Sequence, residues 1–247
     1  MSSIYDEYAS VTRATEIAHA DDARRTAVHF ARHLMPRIPQ VKSVAERGAW
    51  LEFGAGWGRN LLALRELGVR DLVGVDISRE QVSLAHRLGL PELRLIDPGQ
   101  PLLQMLAGRC FDVVLAIDVL EHLSLAQLEA FAADVHALLR PGGLLVLQVP
   151  NDLAPFNPVR SGDLTHLRAF TPTSVQQFFA LAGVQPIHIG GIPFPGVGWS
   201  QTLRHAVVTS VIAPIVQLLS IALYGNGAGP VPVSPNLLGI ARLSPGP

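Results

Sequence analysis

Cysteine, lysine and charged residues in general are scarce in this chain of 247 residues. Cys110 is its only cysteine, so no internal disulfide can form. Lys42 is its only lysine and the formal net charge is -1, which provides no basic surface of the kind that nucleic-acid backbones attract. We therefore predict that nucleic acid is not a partner.

Charged residues make up 16% of the chain, against roughly 25% in an average soluble domain. Hydrophobic residues make up 49% and the mean hydropathy is +0.31, which excludes a globally disordered chain. The first ten residues contain acids and lack the apolar segment of a secretory signal. We predict a cytoplasmic protein, and an apolar segment near its end leaves membrane association open.

Short apolar runs alternate with helix-like segments through most of the chain. Five runs precede residue 150 and two follow it, at 49–53, 71–76, 93–96, 111–117, 143–149, 184–191 and 236–243. Buried parallel strands joined by crossover helices have this pattern. The sequence therefore predicts an α/β fold with a doubly wound sheet of seven strands.

Helix starts are marked by local signals. Ser78 and Ser124 are each followed three residues later by glutamine, which matches the capping box. Thr171 precedes Pro172, a pair typical of a first helical turn. Before the first strand, apolar residues at helical spacing predict one helix near 22–35.

Three glycines in five residues follow the first predicted strand, in the segment LEFGAGWGRN at 51–60. Glycine lets the backbone approach a ligand closely, and ligands of open parallel sheets bind at the carboxyl ends of the strands. The dinucleotide-binding fingerprint requires a third glycine at position 59, where this chain has Arg59. An NAD-dependent dehydrogenase is therefore disfavoured.

Carboxylates stand near the ends of four successive strands, as Glu52, Asp76, Asp97 and Asp118. Asp76 follows Gly54 by 22 residues, where a carboxylate can accept hydrogen bonds from both ribose hydroxyls. A row of acids would repel a pyrophosphate but suits a ligand that carries a sulfonium and an amino group. We therefore predict that the ligand is S-adenosylmethionine.

The chain from about Trp50 to Val149 resembles the class I S-adenosylmethionine-dependent methyltransferases. The segments that carry this resemblance follow in order, as LEFGAGWG, VGVDIS, LIDP, FDVVLAIDVLEHL and LLRPGGLLVLQVP. It implies a Rossmann-like, mostly parallel sheet whose last strand is antiparallel, and a cofactor pocket at the strand ends. The predicted cofactor-binding residues are Glu52, Gly54, Ala55, Gly56, Asp76, Ile77, Asp97 and Asp118.

The chain is predicted to consist of two parts of unequal size. Residues 1–48 are predicted to be a helical lead-in that covers the cofactor, and residues 49–247 the methyltransferase domain. Within the second, 191–235 is predicted to be an apolar insertion or substrate cap before the last strand.

Two histidines are predicted to be catalytic. Methyl transfer from a sulfonium is an in-line displacement, and a hydroxyl acceptor must also lose its proton. His122 follows the fourth strand, and His166 lies in GDLTHLRAFTP, which resembles a segment of family members that act on sugars and lipid-linked glycans. We predict no metal ion. However, Asp118, Glu121 and His122 resemble the divalent-ion ligands of some quinone-biosynthesis O-methyltransferases.

The predicted function is methyl transfer from S-adenosylmethionine to a small-molecule acceptor, a hydroxyl of a sugar or lipid-linked glycan. Two alternatives remain open at this stage. The first is O-methylation of a quinone or other prenylated ring with a divalent ion. The second is a non-catalytic protein that binds S-adenosylmethionine.

The chain between Arg204 and Arg242 contains no Asp, Glu, Lys or Arg. Within it, 207–224 is apolar over a length near the lower limit for crossing a bilayer, and Pro214 is expected to interrupt it. A spanning helix is therefore not favoured. Three kinds of surface could bury this segment: the protein's own sheet or a dimer partner, a membrane surface, or the lipid part of a substrate. A narrow polar stripe is expected to face water.

Overall fold

The computed structural model describes residues 16–38, 48–97, 100–192, 199–225 and 229–244. Within these residues seven strands form one sheet in the order β3-β2-β1-β4-β5-β7-β6. The strands are β1 Ala49–Phe53, β2 Asp71–Asp76, β3 Leu93–Leu95, β4 Phe111–Ile117, β5 Leu139–Pro150, β6 Val184–Ile192 and β7 Asn236–Leu243. Strands β1 to β5 pair in parallel, whereas β7 is antiparallel to both β5 and β6. The predicted mostly parallel, seven-stranded sheet is confirmed.

Strand order reverses at β1, which lies between β2 and β4. Phe53, the last residue of β1, is in register with Val75 of β2 and Ala116 of β4. The residues that follow these positions therefore meet at one edge of the sheet. Open α/β sheets bind their ligands in the crevice at such a switch point.

Helices pack on both faces of the sheet. The helices of the described residues are α1 Glu16–His29, α2 Arg59–Glu66, α3 Arg79–Arg87, α4 Leu102–Met105, α5 Leu125–Leu138, α6 Pro158–Ser161, α7 Pro172–Leu181, α8 Trp199–Val207 and α9 Ala213–Tyr224. In β4 alternate residues enter two separate cores, Val114 with Phe131 of α5 and Val113 with Leu61 of α2. Because successive side chains of a strand point to opposite faces, this alternation makes the fold doubly wound.

The capping signals mark real helix starts. Ser124 accepts a hydrogen bond from the Gln127 amide while the Gln127 side chain accepts one from the Ser124 amide, which completes a capping box. Ser78 accepts from the Gln81 amide at the start of α3. Thr171 caps α7, and Pro172 occupies its first turn.

The helical lead-in is longer than predicted. α1 continues through a π turn at Phe30–Leu34 and a 3-10 turn at Met35–Arg37. Ala27, Phe30 and Leu34 are buried in the same core as α2, which places this helical run beside the glycine turn. Residues 1–15 and 39–47 of the predicted lead-in lie outside the described residues.

The apolar insertion forms a helical run from 199 to 224, here called the apolar helix: α8, a π turn at Val208–Ile212, and α9. The expectation that Pro214 interrupts it is wrong. Pro214 falls in the first turn of α9, directly after the π turn, where a missing backbone donor is tolerated. None of the most apolar 18-residue window between 203 and 224 is buried, so the protein's own sheet does not cover this segment.

Candidate active site

One of the two glycines at the start of the glycine turn has open space beside its backbone, and the other is closely packed. Gly54 and Gly56 have φ of +70° and +54°, which side chains rarely adopt. A Cβ on Gly54 would lie 2.4 Å from Val119 Cγ2, so this glycine is required for packing. A Cβ on Gly56 would meet its nearest heavy atom, Gln81 Oε1, only at 3.9 Å. Gly56 is therefore the place where a ligand can contact the backbone.

Asp76 is oriented by the turn that it faces. Its Oδ2 accepts a hydrogen bond from the Gly56 amide at 2.7 Å, and its Oδ1 accepts one from the Ser78 amide at 2.8 Å. Burial raises the pKa of Asp76 although these bonds oppose the shift. Each carboxylate oxygen retains lone-pair capacity for a second donor, as two ribose hydroxyls require.

A cavity of about 710 Å³ extends along the strand ends. Six of the eight predicted cofactor-binding residues line it: Gly54, Gly56, Asp76, Ile77, Asp97 and Asp118. Its far wall comes from α4, α5 and the segment before α4, through residues that sequence reasoning missed: Gln100, Leu102, Gln127, Phe131 and Asp134. These side chains reach the cavity only through helix packing, so no local pattern marks them.

The other two predicted residues, Glu52 and Ala55, lie behind the cavity wall rather than on it. The Ala55 amide donates to the Val75 carbonyl, which fixes the turn. Glu52 is 1% exposed, and its Oε1 accepts a hydrogen bond of 2.5 Å from Asn60 Nδ2. Burial raises the pKa of Glu52 to about 8. Both residues are thus placed to shape the glycine turn.

We expect Glu52→Gln to stabilise the protein at alkaline pH. Because the folded-state pKa of Glu52 is raised from 4.5 to about 8, folding is most favourable with this carboxyl protonated. That stability is fully present below pH ~4.5 and is lost as pH rises toward ~8. Glutamine stays neutral, so a gain on the order of 1–3 kcal/mol is expected at pH 8 and little at pH 5.

Thermal unfolding at both pH values measures this difference, with Glu129→Gln on the exposed side of α5 as control. An equal change in melting temperature at pH 5 and pH 8 would contradict the assigned protonation.

Asp118 lies where two cavities meet. It has a positive φ of 54°, and Gln148 Nε2 donates to both of its carboxylate oxygens, at 3.0 and 3.1 Å. A second cavity, of about 500 Å³, lies between α1 and the ends of β4 and β5. Asp118 lines both cavities. It directly follows β4, and its positive φ is a strained conformation for a residue with a side chain.

The two predicted catalytic histidines lie side by side. His122 ends a 3-10 turn at Leu120–His122, and His166 follows α6 in the loop toward α7. Their rings pack edge to face with centroids 4.7 Å apart. His122 lines the first cavity. With Glu121 they form a group whose ligand atoms all lie within 4.8 Å of one another, here called the Glu-His-His cluster.

Hydrogen bonds fix which nitrogen of each histidine carries the proton. Thr165 donates its only hydroxyl hydrogen to Asp163, at 2.6 Å, so it must accept from His122 Nδ1, at 2.8 Å. His166 Nδ1 donates to the Arg160 carbonyl at 3.3 Å. Nδ1 therefore carries a proton in both rings, and burial lowers the pKa of His122.

Glu121 brings a third acceptor to this cluster. Its carboxylate is buried, lies 3.9 Å from His166 Nε2, and accepts no hydrogen bond from a described residue. Burial, and then the negative charge of Asp118, raise the pKa of Glu121 to about 8. Asp118 itself bonds Gln148, so within the described residues the possible ligand group consists of Glu121 with both histidines. It differs from the alternative set that the sequence left open, Asp118, Glu121 and His122.

Residues 22–189 match the methyltransferase domain family. The chain belongs to this family. The ubiquinone biosynthesis O-methyltransferase of Cereibacter sphaeroides strain ATCC 17025 is 28% identical over 171 residues, 62% of this chain and 66% of the relative. The enzyme of the same name from Methylocella silvestris is 31% identical over 119 residues, 47% of this chain and 45% of the relative. The chain thus spans at most about two thirds of either relative.

Solved methyltransferase structures share the fold. A SAM-dependent methyltransferase from Archaeoglobus fulgidus superposes with a TM-score of 0.60 at 14% identity, covering 89% of this chain and 94% of the other. An S-adenosylmethionine-dependent methyltransferase from Mesorhizobium loti gives 0.52 at 16% identity, covering 84% and 94%.

The protein is thus an S-adenosylmethionine-dependent methyltransferase, and the non-catalytic alternative is set aside. The cofactor cavity of this methyltransferase fits that molecule. Gly56 leaves an open backbone cradle, and Asp76 presents oriented acceptors suited to ribose. Asp97, which follows the third strand, also lines this cavity.

Proposed function

We propose that this methyltransferase methylates a hydroxyl on a prenyl-substituted aromatic ring, with a divalent cation held by the Glu-His-His cluster. The observation that carries this proposal is the convergence of three Lewis bases beside the cofactor cavity. His122 belongs to both the cluster and the cavity wall, so a cation there would lie next to the methyl-transfer site.

The cluster offers a cation three ligand atoms at once. One ligand atom each from Glu121, His122 and His166 lies within 4.8 Å of the others. The buried Glu121 carboxylate accepts no hydrogen bond from a described residue, and the charge of a bound cation would favour its deprotonated form. Two imidazoles and a carboxylate form a common divalent-metal ligand set, which leaves further coordination positions for substrate oxygens. Thr165 and the Arg160 carbonyl each accept a hydrogen bond from Nδ1 of one histidine, which orients the ring as such bonds do at metal sites.

The nature of the acceptor is inferred from the relatives and the cluster together. Both relatives carry names of ubiquinone biosynthesis O-methyltransferases. This favours the quinone-type ring over the sugar or lipid-linked glycan that was predicted first. A ring with adjacent oxygens can present two of them to one cation, which suits a site with open coordination positions.

S-adenosylmethionine supplies the methyl group on a positively charged sulfur. The protein's part is to align the acceptor oxygen with that carbon and to lower the cost of losing the hydroxyl proton. A cation held by the cluster would favour the deprotonated acceptor, whose proton would pass to solvent. His122, at the wall of the cofactor cavity, would hold the cation through its ring, so the same nitrogen does not also take the proton. Asp118, which lies between the two cavities, is placed to set the acceptor's approach.

The test is turnover with a prenylated catechol, measured as S-adenosylhomocysteine formed by the purified protein. Removal of metal with EDTA is expected to reduce the rate by more than about tenfold, and added Mg²⁺, Mn²⁺ or Zn²⁺ to restore it. Glycan extracts, assayed in parallel, test the first prediction. Full activity after exhaustive chelation contradicts the cation, and methylation confined to glycans contradicts the ring acceptor.

A further inference from the structure

We propose that the apolar helix inserts in the plane of a lipid bilayer surface and attaches the enzyme to the membrane. Among the described residues, one helical stretch, Leu203–Tyr224, is long and apolar enough to cross a membrane by length and composition. Its mean hydropathy is 2.2 over the most apolar window, and none of that window is buried. Such a surface is unfavourable in water.

The polarity of α9 is inverted relative to a helix of a soluble protein. Its half-buried residues, which face the rest of the protein, are Ala213, Val216, Gln217 and Ser220. These include Gln217 and Ser220, whereas Leu218 and Leu219 on the outer side are 68% and 57% exposed. The expectation that the polar stripe faces water is therefore wrong for this part of the helix. Apolar residues outside and polar residues inside are what a lipid environment favours.

Two polar side chains of the helix are bonded within the protein. Thr209 donates its hydroxyl hydrogen to the His205 carbonyl at 2.8 Å. Gln217 donates to the Gly229 carbonyl and accepts from the Val231 amide, both at 2.9 Å. Because these bonds are made internally, moving the helix into lipid leaves neither side chain without a partner.

The helix ends carry residues typical of a membrane interface. Trp199 and Tyr224 stand at the two ends and are 80% and 76% exposed. Arg204 and His205 lie near the first end. Tryptophan and tyrosine concentrate at the level of the lipid headgroups, where one side of the ring is apolar and the other wet.

The connections of the helix favour lying in the surface over crossing the bilayer. The insertion leaves the sheet at Ile192 and returns at Asn236, and these two residues are paired in neighbouring strands. The segment that leads from the helix back to β7 lies along the helix, because Gly229 and Val231 form hydrogen bonds with Gln217. A crossing helix would take this non-helical backbone through the hydrocarbon, where it would lack hydrogen-bond partners.

Lipid fits this surface better than a second copy of the chain. The exposed apolar residues of 203–224 lie on more than half of the helix circumference, at roughly 100° per residue. A partner helix covers one stripe, whereas lipid covers the whole outer arc. No Asp, Glu, Lys or Arg lies between Arg204 and Arg242 to direct a specific protein contact.

This attachment places the acceptor side of the enzyme toward the membrane. A cavity of about 270 Å³ at the base of the helix is lined by Gly191, His205 and Ser234 among others. Ile192 and Pro235, the next residues along each strand end, line the cavity that reaches Asp118. A lipid-substituted acceptor, if the proposed function holds, could then enter from the bilayer. The attachment itself does not depend on which acceptor is used.

Flotation of the full chain with preformed phosphatidylcholine vesicles tests this proposal. We expect the protein to float with neutral vesicles and to remain bound at high salt, because the surface is apolar rather than charged. Leu218→Glu with Leu219→Glu is expected to reduce the bound fraction by more than about tenfold, since both side chains face outward.

Leu125→Glu with Leu181→Glu is the matched control, because these leucines are 62% and 52% exposed on α5 and α7. It should float like the unchanged protein, and all three should bind S-adenosylhomocysteine equally, which shows that they are folded. The proposal is overturned if the unchanged protein does not float or if the Leu218 and Leu219 variant floats equally. It is also overturned if sedimentation shows a dimer that this variant disrupts while no form binds vesicles.

Discussion

Glu121→Gln is expected to lower turnover by more than about 100-fold while leaving cofactor affinity nearly unchanged. Glutamine keeps the shape of Glu121 but cannot supply the negative charge that the deprotonated carboxylate would offer to the cation. Because Glu121 is buried and is not among the residues that line the cofactor cavity, cofactor binding should be spared. Initial rates of S-adenosylhomocysteine formation and calorimetric titration with S-adenosylhomocysteine measure the two effects separately.

Histidine variants divide the roles within the same cluster. His122→Ala and His166→Ala should each weaken retention of the cation, so that more metal is needed to restore the rate, and His122→Ala should lose more rate at saturating metal because His122 also lines the cofactor cavity. Glu129→Gln serves as the charge-matched control on the exposed side of α5. Full rates in Glu121→Gln and in both histidine variants would rule out this cluster as the catalytic centre.

Asp76→Ala is expected to weaken binding of S-adenosylhomocysteine by more than about tenfold, or ~1.4 kcal/mol. The substitution removes the acceptors offered to ribose. It also leaves the Gly56 and Ser78 amides without the carboxylate that orients them. The glycine turn should therefore lose its shape as well as a ligand contact.

Asp71→Ala, at the opposite end of β2, is the control, because it removes a surface carboxylate that pairs with Arg109. Asp76→Asn keeps the side-chain size and should fall between the two in affinity. Calorimetry that finds equal affinity in Asp76→Ala and Asp71→Ala would show that the ribose assignment is wrong.

Most of the fold could be predicted from the sequence because the signals are local. Apolar runs of four to eight residues and capping pairs such as Ser124 with Gln127 are properties of neighbouring residues, and β7 lies at the predicted 236–243. The strand-end positions of Gly56, Asp76 and Asp118 follow from these runs, because parallel strands end at one edge of a sheet.

Burial could not be predicted in the same way. Glu52 has the spacing of a cofactor ligand, yet the packing of α2 places it behind the turn, where it bonds Asn60. Gln127 and Asp134 face the cavity only because α5 packs along its wall. His122 and His166 are 44 positions apart in the chain, so only the tertiary structure places their rings in contact.

The amino-acid order by itself determined the strand pattern, the strand-end acids and the nature of the methyl donor, since each depends on residues close together along the chain. Tertiary structure decided that Glu121 joins the two histidines and that α9 turns its polar side inward. Both outcomes depend on contacts between distant segments, where the balance of burial and hydrogen bonding is set by packing rather than by local pattern.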